Sequence, residues 1–390
     1  MAERRLTDWL DSYMAYTENS EPPENYKRWV GITCISAVLQ RKCFMIWEGP
    51  TYPNIYTVLV GPSGKCRKGT AMRQGVDLIL ELGIPVAAEA ITREALIREL
   101  RDVNETSIDD ATGKPIAHSS LTVLSEELMV FLGFNNPALL SDLTDWYDCK
   151  PEWTYRTKNM GTDKINGVYV TLLGATTPEV ILSSMPREFI GGGFASRVIF
   201  VYESQKGKIV EYPIITDEEK RLRELLFLDL QQISLLKGQF RVDESFLGIW
   251  GPWYREQSAH PPFRSFQFGG YVERRPKHVM KLSMIMSASR TDEMIITAGD
   301  FTKALGILEI TEKNMANTFS GVGRSDLAEV TNRVMKTIAE YKEINMSELL
   351  RLYYTDADKE TMLKIIATLT AMHYCDFAQT ATDVRVIYTK

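Results

Sequence analysis

The sequence predicts an α/β protein: a parallel-sheet core with a phosphate-binding loop, preceded by helices and followed by a helical lid and a C-terminal winged helix. Three observations predict it. From 47 to about 212, short apolar runs at 55–60, 121–124, 168–173 and 198–202 alternate with helical patterns, as strands covered on both faces do. The first run delivers Gly61, Pro62, Ser63, Gly64, Lys65, Cys66, Arg67, Lys68, Gly69 and Thr70 just before a helix. Residues 326–390 then read as three helices and a β-hairpin.

The elements follow in chain order. Residues 1–46 form an N-terminal helical segment, with Thr7 capping a first helix and Pro22-Pro23 breaking the chain before an apolar helix at 29–39. The core spans 47–212, and the polar, glycine-containing stretch 105–114 reads as a loop. Residues 213–325 form the lid: charges alternate with leucines over 217–236, a Pro/Gly/aromatic region covers 251–271, and helices follow at 273–290 and 298–319. A linker at 321–325 leads to the module 326–390. Its helices fall at 327–341, 345–353 with Asn345 as cap, and 359–372, where Met362, Ile365, Ile366 and Leu369 keep helical spacing. Strands at 374–378 and 384–388 make the hairpin.

Composition bounds the function. At 390 residues the chain holds two or three domains, and 44% hydrophobic with 25% charged residues is the profile of a soluble globular protein. No apolar run reaches the length of a bilayer span, and the N-terminus lacks the apolar stretch of a secretory signal, so a cytoplasmic protein with no membrane partner is expected. The five cysteines are odd in number and never spaced as CxxC, which argues for free thiols and against a zinc site. The four histidines show no ligand spacing. A net charge of −6 excludes a basic nucleic-acid coat and leaves only local contacts or a channel built by assembly.

The loop 61–70 has the residue types that hold a nucleoside triphosphate. Glycines let backbone N–H groups close on phosphates, a lysine neutralises β/γ charge, and a threonine hydroxyl reaches Mg²⁺. The strict spacing wants Lys at 67 and Ser/Thr at 68, where the chain has Arg67 and Lys68. A one-residue expansion assigns Lys68 to the phosphates and Thr70 to the metal, with Lys65 the alternative lysine. The run 121–127 ends in Ser125, Glu126 and Glu127, carboxylates at a strand's C-terminal end, where ligands bind in such sheets. Glu126 is expected toward the metal and Glu127 as the base for the attacking water; whether the pair begins at Ser125 or Glu126 stays open. Thr177, or Thr176, follows the run 168–173 and is expected beside the γ-phosphate, or else is a helix cap. Arg197 follows a glycine triplet, 191–193, and opens the last run. It is either a finger reaching a neighbouring subunit's site or the partner of a local carboxylate.

In this order the four elements resemble the additional-strand P-loop ATPases of RecA/AAA+ type, and in particular a family of phage and prophage helicase-like ATPases. The lead-in Pro53-Asn54-Ile55-Tyr56, the Gly-Pro-Ser-Gly loop with Arg67-Lys68, and the segment Gly174-Ala175-Thr176-Thr177-Pro178-Glu179 carry that likeness. Ala195-Ser196-Arg197 is similar to the Ser-Arg-Phe segment of minichromosome maintenance helicases, which implies that Arg197 acts in trans across a hexamer interface. The resemblance also implies that Thr177 is a sensor and that Arg274 or Arg275 is a second sensor arginine. The loop departs from the family's spacing by one residue, and Gly69 replaces its Ser/Thr.

The function expected is an ATP- and Mg²⁺-dependent DNA helicase or translocase of phage or mobile-element replication, working as a ring, a hexamer by the resemblance, on single- or double-stranded DNA. Arg156, Lys158 and Lys164 in 150–164 are candidate pore-loop contacts, and Lys359 and Lys364 on the module's third helix, with Arg385 and Lys390 in its wing, are candidate DNA contacts. Against the last, 330–390 holds eight Lys/Arg and eight Asp/Glu, so it should bind duplex weakly alone. The alternatives are a helicase loader or DNA-bound switch that does not unwind, and a non-hydrolysing P-loop module that docks through the winged helix. The aromatics Trp250, Trp253, Tyr254, Phe263, Phe266 and Phe268 are expected to pack within the helical region rather than stack on bases.

Overall fold

The structure is a computed structural model that describes residues 3–108, 113, 115–133, 136–157, 161–184, 192–319, 326–379 and 383–389. It is a mixed α/β protein in two compact units, 1–319 and 320–390. Gly191, Lys158, Lys390 and the expected linker 321–325 lie outside the described residues.

The first unit opens with α1 (Trp9–Tyr16) and α2 (Glu24–Leu39). The first cap is Asp8, one residue after the expected Thr7: its carboxylate accepts from the Asp11 N–H, satisfying a helix-start donor. In α2 nearly every residue is buried, as an apolar helix surrounded by other elements must be. Its polar groups are paired locally. Thr33 donates to the Trp29 carbonyl, Ser36 to the Pro53 carbonyl, and the Lys27 ammonium to the Thr17 carbonyl. Short strands β1 (Cys43–Ile46) and β2 (Pro50–Thr51) follow, then β3 (Tyr56–Val60), which is buried throughout.

After β3 come α3 (Lys68–Glu81), α4 (Arg93–Asp102), β4 (Asn104–Ile108) and β5 (Pro115–Ser125). The expected loop at 105–114 is therefore partly strand: β4 pairs antiparallel with β5 from Asn104↔Ser119 to Ile108↔Pro115. Its polar residues suit a solvated edge strand, and that polarity is what reads as loop in sequence. Helices α5 (Leu128–Leu132) and α6 (Pro137–Tyr147) lead to a hairpin, β6 (Glu152–Thr157) and β7 (Gly161–Asn166). Then come β8 (Val168–Thr176), α7 (Pro178–Ser184) and β9 (Val198–Tyr202). The main sheet has the order β4-β5-β8-β3-β9, and β5, β8, β3 and β9 are parallel. All nine residues of β8 are buried, as expected at the centre of a sheet with both faces covered.

α2 and α3 pack closely where α3 presents Gly75, which has no side chain. A methyl group on Gly75 would lie 2.5 Å from Val30 Cγ1 and 2.7 Å from Cys34 Sγ. Gly75→Ala should thus destabilise the chain by about 1–3 kcal/mol through overpacking, read as a lower midpoint in urea unfolding at unchanged slope.

The rest of the unit is helical: α8 (Asp217–Ser234), α9 (Glu244–Ala259), α10 (Gly269–Arg290) and α11 (Ala298–Met315), with two-residue strands β10 (Gly238–Gln239), β11 (Arg241–Val242) and β12 (Ile295–Ile296). β10 pairs with β1, and β11 with β12. α8 and α11 start with capping boxes, Thr216/Glu219 and Thr297/Asp300. The region 251–271 is less irregular than its composition suggests, because α9 continues through Pro252 as far as Ala259. Trp250 and Trp253 pack on Phe301, and Phe263 stacks on Phe268. The side chain of Phe266 lies outside the described residues.

The second unit has α12 (Asp326–Tyr341), β13 (Glu343–Asn345), α13 (Met346–Leu352), α14 (Lys359–Ala371), β14 (Cys375–Gln379) and β15 (Val384–Tyr388). Asn345 and Glu348 form a capping box on α13. The strands make an antiparallel sheet in the order β13-β15-β14, whose third strand, β13, is not apparent in the sequence pattern. Val334, Ile338, Leu349, Ile365, Leu369 and Val386 fill a separate core. No helix among the described residues is long and apolar enough to cross a membrane.

Candidate functional site

The loop 61–67 joins the C-terminal end of β3 to the start of α3. Its entry is tightly built. The Gly61 N–H donates to the Thr176 carbonyl at 3.3 Å, and a methyl group on Gly61 would lie 2.5 Å from the Glu203 carbonyl and 2.6 Å from the Tyr26 hydroxyl. Gly64 turns the loop at φ +71°, and Arg67 takes a left-handed conformation at φ +54°, which is unusual for a residue with a side chain. Arg67 holds the N-cap position of α3 without giving a side-chain cap. The first N–H groups of a 14-residue helix therefore point out of its end with the positive pole of the helix behind them.

Lys68 lies over this loop. Its ammonium donates to the Gly61 carbonyl at 2.6 Å and more weakly to Pro62 at 3.4 Å. Partial burial lowers its pKa, while Cys66, Glu127 and Glu179 nearby act in the opposite sense. Lys65 and Ser63 are exposed, and Cys66 is buried with its thiol directed at the Glu203 carbonyl. The expanded spacing thus brings Lys68, rather than Lys65, onto the loop's carbonyls.

The acids stand at the end of β5, two strands from β3 with β8 between. Glu126 and Glu127 are both exposed. A methyl group on Gly69 would meet Glu126 Oε2 at 2.6 Å, and Arg73 approaches Glu126 at 4.0 Å. Glu127 is the N-cap residue of α5. The loop and the acid pair are therefore neighbours in space. Thr70 is not turned to them. One position beyond Gly69 on the helix, it lines a groove of about 260 Å³ with Ser20, Glu21, Arg67, Val210 and Pro213. Against the expectation for the metal, the residue facing Glu126 is Gly69, which has no hydroxyl to give.

The residues fit a magnesium-bound triphosphate in this form. Uncapped helix N–H groups and Lys68 suit the phosphates. Glu126 suits Mg²⁺ bound largely through water and phosphate oxygens, as that ion prefers. No cluster of three or more His, Cys, Asp or Glu suited to holding a metal by itself occurs among the described residues.

Glu21, absent from the sequence expectations, ties this region to the N-terminal segment. Arg67 Nε at 2.7 Å and Lys206 Nζ at 2.5 Å both donate to it. These hydrogen bonds, Lys206 first, hold its carboxyl at about 2. The contacts span 46 and 185 residues of sequence, so no local pattern signals them.

Thr177 caps α7: its hydroxyl accepts from the Val180 N–H at 3.4 Å, the helix-cap alternative. Arg197 sits at the other edge of the sheet. Val198 pairs with Tyr56 at the start of β3, so Arg197 is separated from Gly61 by a strand of five residues, about 16 Å. It is 6% exposed and bonded to Asp148 at 2.5 Å and to the Gly193 carbonyl at 2.7 Å. Here too the local-carboxylate alternative is the arrangement found. Arg274 approaches the same Asp148 at 3.6 Å, whereas Arg275 is buried against Glu312.

His278 packs beside this cluster, with Nδ1 3.1 Å from the Tyr147 hydroxyl and Nε2 3.2 Å from the Ser196 carbonyl. Burial, reinforced by Lys281, Arg274 and Arg197, pushes its pKa down to about 3. The unfolded chain protonates this imidazole near 6.5 while the folded one refuses the proton until about pH 3. Stability should therefore fall as pH drops through that window, by up to about 1.4 kcal/mol per unit. His118, lowered to about 4 by burial, acts in the same direction. Urea midpoints at pH 7 and pH 5 check this, and His278→Gln should reduce the difference while leaving the share due to His118.

Of the expected nucleic-acid contacts, Arg156, Lys164, Lys364 and Arg385 are exposed and engaged with neighbours. Arg156 donates to Thr162 across the β6–β7 hairpin, Lys164 pairs with Glu152 at 2.7 Å, and Lys364 pairs with Glu360 at 2.8 Å. Lys359 is exposed at the first turn of α14. The proposed pore loop 150–164 is thus largely hairpin.

No protein-family model matches the chain, and no curated protein matches it.

Proposed function

We propose that this chain is an ATPase of the P-loop type, RecA/AAA+ in architecture with a C-terminal winged helix, that couples ATP hydrolysis to movement on DNA as a ring, in the manner of a phage or mobile-element helicase. The observation that carries the hydrolytic part is the approach of Glu126 to Gly69 at the uncapped start of α3, with Lys68 on the same loop. Phosphoryl transfer to water needs mainly positioning and charge stabilisation. Backbone N–H groups at 63–69 and Lys68 would hold the phosphates, and Glu127 would take the proton of the attacking water. Mg²⁺, when bound near Glu126, would offset charge on the β and γ oxygens. The parallel order with β8 between the loop strand and the acid strand supports this reading, since ligands gather at the carboxyl ends of such strands.

The DNA and ring parts rest on the resemblance. A second reading has an observation in its favour. Arg197 is buried on Asp148, so a trans role requires exchange of that partner, and the second unit exposes Tyr341, Leu352, Tyr354, Met372 and Phe377. These features suit a P-loop protein that docks on partners without unwinding. Phosphate release measured with and without single-stranded DNA, beside strand separation of a forked duplex and native mass with an ATP analogue, decides between them. Stimulated release, separated strands and a hexamer are expected. Unstimulated release from a monomer would remove the motor, and no release at all would remove the ATPase.

A further inference from the structure

Glu21 is anchored at its backbone and bridged at its side chain. Pro22 and Pro23 follow it, both buried, and a residue before proline is biased to extended backbone. Its carbonyl accepts from the Gly207 N–H at 2.9 Å, and a methyl group on Gly207 would lie 3.1 Å from the Pro22 carbonyl oxygen and from Pro23 Cα. The chain just past β9 therefore packs directly on 21–23.

Both oxygens of the Glu21 carboxylate are in use. Oε2 accepts from Arg67 Nε at 2.7 Å, and Oε1 accepts from Lys206 Nζ at 2.5 Å and more weakly from the Val210 N–H at 3.5 Å. The Glu21 side chain is 17% exposed, so these charge-assisted bonds are partly shielded from water. Glu21 is the one ion-pair partner of Arg67 among the described residues. Arg67 in turn closes the phosphate loop. It stands at φ +54° and ψ +40° at the N-cap of α3, a left-handed conformation that a Cβ disfavours and that persists only where the surroundings impose it. Its carbonyl accepts from the Ala71 N–H at 3.1 Å, so the same peptide that Glu21 holds starts the helix. The two neighbouring cations diverge: Arg67 turns to Glu21, and Lys68 turns to the Gly61 carbonyl.

We propose that Glu21 is a positioning residue of the nucleotide site: through Arg67 it fixes the left-handed turn that ends the phosphate loop, so that Lys68 and the first N–H groups of α3 are set before a nucleotide arrives. This role rests on the reading of 61–70 as an ATP loop. A loop already in its bound conformation loses less freedom on binding. That gain is common to the bound substrate and the transition state, so loss of Glu21 appears in nucleotide affinity and not in turnover at saturation.

The test is Glu21→Gln in the full chain. An amide has one acceptor oxygen in place of two and sets an N–H against the other cation, while a partly exposed position lets the fold survive, as the urea midpoint checks. The Kd of a slowly hydrolysed ATP analogue and the KM for ATP should rise about three- to tenfold, with kcat nearly unchanged. Arg67→Gly removes both the guanidinium and the backbone strain, and in that background Glu21→Gln should weaken binding no further. A second loss there would show Glu21 acting through Lys206 instead, and would overturn the proposal. Amide exchange at Ala71 in the free chain should be several-fold faster in Glu21→Gln. That readout needs no nucleotide: if the parent binds no ATP the ATPase reading fails, and the exchange alone decides whether Glu21 sets the loop. Unchanged exchange, unchanged affinity beside a parent that binds, or a fall in kcat with KM intact would each overturn the assignment.

Discussion

A Lys68→Met chain should hydrolyse ATP at least about 10²-fold more slowly than the parent, since loss of one preorganised charge-stabilising donor typically costs 10²–10³. The substitution keeps the length and apolar stem of a side chain that is only partly buried, so the fold should survive. Lys68 is the lysine whose ammonium reaches the loop carbonyls of Gly61 and Pro62. An incoming phosphate oxygen is a stronger partner than either, because both members of that pair are charged. Lys65 is exposed on the turn, and Lys65→Met should leave turnover within about twofold, since the substitution keeps the backbone N–H groups of the loop and removes only an exposed ammonium. Paired rates of phosphate release from the two variants check this. The reverse order of severity would assign the phosphate role to Lys65.

Glu127→Gln should slow hydrolysis by about 10²–10⁴, the usual contribution of a positioned general base, while leaving nucleotide affinity nearly unchanged. Glutamine preserves the shape and removes the basic oxygen. Glu126→Gln should behave differently, because Glu126 is the carboxylate beside Gly69 at the start of α3: its loss should raise the Mg²⁺ concentration needed for half-maximal binding. Single-turnover rates and Mg²⁺ titrations separate the two roles. If Glu126→Gln stops turnover with Mg²⁺ dependence intact, and Glu127→Gln does little, the assignment is exchanged.

The sheet was readable in the sequence because β-branched and apolar residues cluster in the strands of its interior. The runs 55–60, 168–173 and 198–202 overlie β3, β8 and β9. β4 was not, since an edge strand of Asn104, Glu105, Thr106 and Ser107 has the composition of a loop. The hairpin β6–β7 escaped for a related reason: most of its exposed residues are polar, Glu152, Thr154, Arg156, Thr162, Lys164 and Asn166. α9 shows the converse, a helix tolerated through Pro252 where composition alone argues for irregular chain.

The site was legible as far as single segments carry it. Loop and acids each announce themselves by residue type at a strand end. What sequence does not carry is direction around a helix after a loop of altered length, and here that decides the metal side: Gly69 faces Glu126, and Thr70 looks into the groove with Glu21. Nor does it carry partners remote along the chain. Arg197 reads equally as a mobile finger or a paired side chain until Asp148, 49 residues earlier, is placed against it.

Equilibrium binding of a slowly hydrolysed ATP analogue to the parent chain and to Lys68→Met, each with and without Mg²⁺, tests the central claim most directly. Saturable, Mg²⁺-dependent binding at micromolar concentration, about −8 kcal/mol, that weakens at least about tenfold in Lys68→Met is the result expected. Binding absent from the parent, or unaffected by both Mg²⁺ and Lys68, would contradict it.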